Sequence, residues 1–165
     1  MKKSFLSIIA LLMAACCMAQ EKPTFPFQGG NGAMDQFFRD SLKVSSMIRY
    51  EKATGVVIFK FTADDKGAVK NLVIYYADDA ALIQPASEAL RKSSRKWIIP
   101  YKEKTHDFVI PFLIRLDLPE NADAETKKQL LKFYSTRKPI LARDQTPLDM
   151  TTLLPTVVVN YTIGQ

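Results

Sequence analysis

A short polar turn between two β-rich runs constrains this chain more than any other stretch. Gly55-Val-Val-Ile-Phe-Lys-Phe-Thr62 and Val69-Lys-Asn-Leu-Val-Ile-Tyr-Tyr76 flank Ala63-Asp-Asp-Lys-Gly-Ala68. Val, Ile, Phe, Tyr and Thr suit a pleated, half-buried surface. Asp64 and Asp65 favour turn initiation, and Gly67 can take a positive φ without a Cβ clash. Two alternating runs around a short turn predict a β-hairpin. Val57, Phe59 and Phe61 share one face of the first strand, opposite Val56, Ile58, Lys60 and Thr62. On the second strand Leu72, Ile74 and Tyr76 oppose Asn71, Val73 and Tyr75. A lone hairpin is marginal in water, so it needs a third strand and a helix.

The chain supplies both. Residues 107–116 predict a third strand with Phe108, Ile110, Phe112 and Ile114 on one face. Pro111 cannot donate a ladder hydrogen bond, which places part of this strand at a sheet edge or at a bulge. Before the hairpin, Met34, Phe37, Phe38, Ser41 and Leu42 fall at helical spacing, with Asn31 the expected N-cap. The preceding Gly29-Gly-Asn-Gly32 lacks the Lys-Ser/Thr of a P-loop and the strand of a dinucleotide fold, so it reads as a helix start. Residues 44–54 are open between a short helix and an irregular approach to the first strand. After the hairpin, Leu82, Ala86, Ala89, Leu90, Ser93 and Trp97 recur at three- and four-residue steps. They predict a helix over 80–97, capped by Asp78 or Asp79, with Trp97 on its apolar stripe. Pro85 is tolerated only near a helix start. The expected class is α+β, a small antiparallel three-stranded sheet with helices on one face.

The first 19 residues have the three parts of an export signal. Lys2 and Lys3 form the charged start, 5–15 the apolar stretch, and small residues follow. The apolar run is shorter than the roughly 20 residues of a membrane-spanning helix. Two exits remain open: cleavage after Ala19, or lipidation at Cys16 in an Ala14-Ala15-Cys16 context that resembles a lipobox. Both cysteines, Cys16 and Cys17, lie in this leader. The mature domain is therefore expected to have no disulfide, no thiol catalysis and no cysteine-bound metal. The expected location is the periplasm or the outer membrane's periplasmic side. The formal charge is +6, but the basic residues are spread thinly and no nucleic-acid motif is present, which argues against nucleic acid. Domains are expected at 1–19 (signal), 20–118 (folded domain) and 119–165 (extension).

Phe27-x-Gly-Gly before a helix, a Gly55-led hairpin with Asp-x-x-Gly at its turn, Trp97-Ile-Ile-Pro100 and an apolar strand with an internal Pro occur in this order. Together, over roughly residues 25–116, they resemble the C-terminal domain of TonB-like proteins. The resemblance implies a small antiparallel sheet whose third strand is an open edge that captures an extended segment of an envelope partner. Capture by strand addition relies on main-chain hydrogen bonds. It implies a partner-binding edge at Phe108, Val109, Ile110, Phe112, Leu113, Ile114 and Arg115. The partner would be an outer-membrane receptor segment, the chain's own tail, or a second copy in a homodimer. An energy transducer of this family also keeps an N-terminal membrane helix and a long Pro-rich spacer. Here the start reads as cleavable and only a few residues follow it, so a complete transducer is not expected. The alternative is a lipid-anchored structural or assembly lipoprotein with the same fold.

The extension predicts a helix from Ala124 to about Lys138, with Leu130, Leu131 and Tyr134 on one side, docked on the domain or lying on an anionic membrane surface. Residues 154–163 are β-rich. They read either as a further strand of the sheet or as a segment that occupies the 107–116 edge within the molecule or in a neighbour. Catalytic chemistry is not expected. His106 is the only histidine and is expected in a solvated polar loop. The Asp64-Asp65 and Asp78-Asp79 pairs read as turn and cap residues, and Trp97 as a core residue. No cofactor and no metal are implied.

Overall fold

A computed structural model describes residues 25–142, 148 and 150–162. The leader, including Cys16, lies outside the described residues. Among the described residues there are four α-helices, α1 (Gly30–Ser41), α2 (Ser46–Glu51), α3 (Ile83–Lys92) and α4 (Ala124–Thr136), with a 3-10 turn at Ala80–Leu82. The strands are β1 (Gly55–Asp64), β2 (Val69–Ala77), β3 (Thr105–Leu116), β4 (Ile140–Leu141), β5 (Thr152–Leu153) and β6 (Val157–Tyr161). The class is α+β as expected, but the sheet has six strands rather than three, in the order β4-β2-β1-β3, with β5 and β6 both on the far side of β3. It is mixed, because β5 and β6 run parallel to β3 while the other pairs are antiparallel. The additional strands all come from the extension, which therefore completes the sheet.

The hairpin forms for the reasons visible in its residues. Asp64 Oδ1 accepts from the amides of Lys66 (3.0 Å) and Ala68 (2.8 Å), closing the turn. The Ala68 amide in particular holds the Asp64 carboxyl below its ordinary range. Gly67 sits at φ 70, and a Cβ there would strike the Trp97 carbonyl, so only glycine fits without strain. β1 and β3 pair without interruption from Gly55↔Ile114 to Asp64↔Thr105. β1 and β2 do not: the register shifts between Ile58 and Phe59 and between Lys60 and Thr62. Each shift is one extra residue on β2, as in a β-bulge. The strict alternation expected for β2 is therefore broken: Ile74 lies opposite buried Phe59, while Tyr76 lies opposite Ile58 on the other face.

One face of the sheet carries the core. Val57, Phe59, Phe61, Phe108, Ile110, Phe112 and Ile114 are buried together with Met34 and Phe38 of α1 and Ala86, Ala89 and Leu90 of α3. Each buried Val, Leu, Ile, Phe or Met among them contributes roughly 1.5–3 kcal/mol. Trp97 packs between Phe27 (5.1 Å between ring centroids) and Phe61 (4.7 Å) and donates from its indole N–H to Ser93 Oγ at 2.9 Å. It is a core residue, but it lies beyond the helix: α3 stops at Lys92, Arg95 takes φ 73, and Trp97 bridges Phe27 in the lead-in. α3 begins two residues before Pro85, where the missing N–H is harmless, and Asp79 caps the 3-10 turn through Ala81 N (2.9 Å).

Two local expectations are corrected. Asn31 lies inside α1, whose N-cap is Gly29 at φ 87, with its Cβ position 2.7 Å from the Ala33 Cβ. The backbone turn set by two glycines starts this helix, without a side-chain cap. In α4 the buried residue is Phe133, with Leu130 beside the core, whereas Leu131 is 69% and Tyr134 47% exposed. The expected face was therefore turned by about one residue, and α4 docks beside α2 through Phe133. Residues 44–54 resolve as α2, capped by Ser45 Oγ, which accepts from Ile48 N (3.3 Å).

Candidate functional site

The expected partner-binding edge is β3. Phe108, Ile110, Phe112 and Ile114 point into the core, and Val109, Leu113 and Arg115 alternate to the other face. What the side chains do not fix, the backbone does. Backbone groups of alternate residues point to opposite neighbours. The Val109 carbonyl accepts from Leu154 N (2.8 Å), and Asp117 N donates to the Tyr161 carbonyl (2.9 Å). The odd-numbered residues of β3 thus turn their main chain away from β1 and toward the tail.

That outer side is occupied. β5 pairs with β3 at Phe108↔Thr152 and Val109↔Leu153, and β6 pairs from Phe112↔Val157 to Leu116↔Tyr161. β3 is therefore not an open edge in this structure. The correction has a physical reason: the tail carries an alternating apolar face, and Leu154, Val157, Val159 and Tyr161 are all buried in the same core as β3. Pro111 marks the gap between β5 and β6. By alternation its main chain faces the tail, where a proline has no N–H to give, and Pro155 lies opposite the same break. The expected edge or bulge at Pro111 is corrected: β3 pairs with β1 without a bulge and is covered on its outer side, and the proline sits in the gap between the two added strands.

Side chains clasp the tail at both ends. At one end His106 Nδ1 meets Glu103 Oε2 at 2.7 Å, and Nε2 meets Thr152 Oγ1 at 2.7 Å. The ring lies 4.8 Å from that of Phe108. His106 belongs to β3 and its side chain is only 10% exposed, so the solvated loop histidine expected from sequence is corrected. At the other end Tyr161 donates its hydroxyl to the Ala53 carbonyl at 2.7 Å, and Arg49 Nη1 reaches the Thr162 carbonyl at 2.9 Å. Burial pushes the Tyr161 phenol far above its ordinary value, so the hydroxyl stays protonated and a donor. Neither clasp was identified from the sequence. The partners are 46 and 108 residues apart, and a lone tyrosine in a β-rich tail was the only available signal.

The acidic residues have structural tasks. Asp78 accepts from Val56 N (2.7 Å) and from the Tyr76 hydroxyl (2.6 Å), and it lies 3.4 Å from Arg137 of the extension. Gly55 makes room for it, since a Cβ there would come within 2.6 Å of Asp78 Oδ2. Asp107 pairs with Lys60 (3.0 Å) and accepts from Thr62 Oγ1 (2.7 Å). Burial pushes its carboxyl upward, but the Thr62 hydroxyl and the Lys60 ammonium outweigh that and hold it below the ordinary range. Among the described residues no group of His, Cys, Asp and Glu could hold a metal ion. Likewise no described helix is long and apolar enough to cross a membrane.

The arrangement can hold an extended segment against β3 by main-chain pairing, with apolar side chains at alternate positions entering the core. No protein-family model, curated protein or solved structure matches this chain.

Proposed function

We propose that the chain is an exported, non-enzymatic binding or scaffold module of the cell envelope, TonB C-terminal-like in architecture, whose β3 edge receives an extended segment by strand addition. The observation that carries this reading is β6 itself. A contiguous five-residue run of the tail already lies in parallel register along β3, so the strand accepts an added segment. Here that segment is the chain's own, and an external partner must replace it. Replacement exposes Val157, Val159 and Tyr161, each of which contributes roughly 1.5–3 kcal/mol when buried. An external segment therefore needs apolar residues at the same alternate positions.

The test compares the chain from Gln20 with a version ending at Arg143, using a labelled peptide of residues 151–162. The reading expects the shortened chain to bind the peptide saturably and the full chain to exclude it. If the shortened chain keeps its circular dichroism and still binds no peptide, strand capture at β3 is abandoned.

The burial of the tail side chains also favours a second reading, in which the sealed sheet acts as a structural or assembly unit anchored through Cys16. A shortened chain that fails to fold supports that reading, as does lipid labelling that disappears in Cys16→Ala. Normal processing without lipid counts against the anchor.

A further inference from the structure

The extension completes the sheet, but its helix also turns a second side outward. α4 docks through Phe133, with Thr126, Gln129 and Leu130 partly buried beside it. At about 100° per residue, the sides turned away from the core carry Lys127, Lys128, Leu131, Lys132 and Tyr134. All five are exposed, Leu131 at 69% and Tyr134 at 47%. Lys127, Leu131 and Tyr134 fall at i, i+4 and i+7, so they form one stripe along the helix. Lys138, also exposed, follows just past the helix end.

A single exposed leucine is ordinary on a protein surface. Leu131, however, has a lysine one turn before it and a tyrosine one turn after it. The Tyr134 ring is held in place. Its centroid lies 6.2 Å from that of Phe133, and the Arg137 guanidinium sits over it at 5.3 Å. From Thr126 to Lys138 the chain has five basic residues and no acid. The acids of this helix lie at its start and are engaged there. Asp123 Oδ1 accepts from Thr126 N (2.6 Å), and Glu125 Oε1 accepts from Gln129 Nε2 (3.4 Å).

We propose that the outward side of α4 is a membrane-contact surface that binds the headgroup layer of an anionic bilayer. The helix lies flat on the bilayer. Leu131 and Tyr134 enter just below the phosphates, and the lysine stems carry their ammonium groups back up to them. Tyrosine suits that depth, with an apolar ring and a hydroxyl that stays wet. An acidic protein would be drawn by the same charges. A helix uses its main-chain groups internally, so this convex side offers a peptide no backbone to pair with, whereas a fluid headgroup layer moulds to it. The contact forms while Phe133 stays docked and β6 stays on β3, so it does not depend on strand capture.

The test uses the chain from Gln20, which keeps every described residue and lacks the apolar leader, whose own affinity for lipid would mask the result. Sedimentation compares mixed phosphatidylglycerol and phosphatidylcholine vesicles with pure phosphatidylcholine. Binding is expected to the mixed vesicles alone and should weaken as salt rises. Each lysine near an anionic surface strengthens binding about fivefold. Lys127→Glu with Lys128→Glu is therefore expected to weaken it about 25-fold or more, and Leu131→Gln about tenfold. Circular dichroism checks that both variants keep the fold. Insertion is read by fluorescence. Leu131→Trp should shift its emission to the blue on the mixed vesicles. Tyr101→Trp should not: Tyr101 is 90% exposed and precedes β3 at the Asp64 end of the sheet, whereas Arg137 ties α4 to Asp78 at the Gly55 end. Equal binding to the neutral vesicles overturns the proposal, as does a charge reversal without effect. A blue shift at 101 and none at 131 also overturns it. So does a lack of binding to the mixed vesicles, and a Glu-rich peptide that binds in their place would then mark an acidic protein as the partner.

Discussion

The two edges of this sheet are finished in opposite ways. Along β3 the chain adds β5 and β6, and Leu154, Val157, Val159 and Tyr161 enter the core with them. Along β2 the described residues add only the two of β4, where Leu141 is 63% exposed, beside two register shifts. Both edges offer main-chain hydrogen bonds, each contributing a net of about 0.5–1.5 kcal/mol. The edges differ in apolar burial, so the hydrophobic face of the added strand decides which is sealed. β6 alternates buried and partly exposed residues in step with β3, whereas β4 has no comparable face.

The contrast is sharpest for a buried charge. Val157→Asp should cost more than about 3 kcal/mol, since an unpaired carboxylate enters the core, while Val73→Asp on β2 should cost less than about 1 kcal/mol. Urea unfolding of the two variants measures the difference, and equal losses would erase the distinction between the edges. Next in size is Gly67→Ala, in the β1–β2 turn. Its φ of 70 and the Trp97 carbonyl against it predict a loss of about 2 kcal/mol. Thermal unfolding followed by Trp97 fluorescence reads it, and no loss would mean that the turn moves freely against Trp97.

Tyr161→Phe is a finer probe of the sealed edge. It leaves the Ala53 carbonyl without its 2.7 Å donor and should cost about 1–2 kcal/mol. The folded state holds the phenol above its ordinary value of 10.0. The tyrosine's contribution is therefore full below that value and is lost as pH rises through the folded one. Stability should fall more steeply above about pH 10 in the parent than in Tyr161→Phe. Equal alkaline slopes would refute the buried donor. The smallest effect is expected at Asp107, which joins β1 and β3 through Lys60. Its carboxyl is held below the ordinary 3.8, so its contribution is present above that value and is lost as pH falls through the folded one. Asp107→Asn should cost less than about 1 kcal/mol at neutral pH and flatten the acid limb of the stability profile. An unchanged acid limb would assign that slope to other carboxylates.

The parts of the fold that were legible share a local cause. The β1–β2 turn, the Phe59 and Phe108 faces and the Met34–Phe38 face follow from side-chain period alone. Pro111 signalled a missing ladder bond because a proline cannot donate, but it marks a gap between β5 and β6 and not the expected edge or bulge. That residues 154–163 occupy the 107–116 edge within the molecule was one of two readings of that stretch, and β6 bears it out; its parallel direction was not legible, because its partner lies more than forty residues back and the intervening segment contains a helix and two short strands. The burial of His106 depends on Thr152 in the same way. The tilt of α4 toward Phe133 was missed because Leu130, Leu131, Phe133 and Tyr134 offer two overlapping apolar faces, and only docking beside α2 selects one.

Native-state amide exchange tests most directly whether the tail is an integral strand. By the register, the Val159 and Tyr161 amides donate to β3, while among the described residues no strand pairs with the outer side of 70–74. The account predicts that Val159 and Tyr161 exchange as slowly as the central residues of β1 and that the outer amides of 70–74 exchange rapidly. Val159 and Tyr161 exchanging as fast as the outer amides of 70–74 would contradict it: the tail would then be a loosely held strap, and β3 an edge that stands open much of the time.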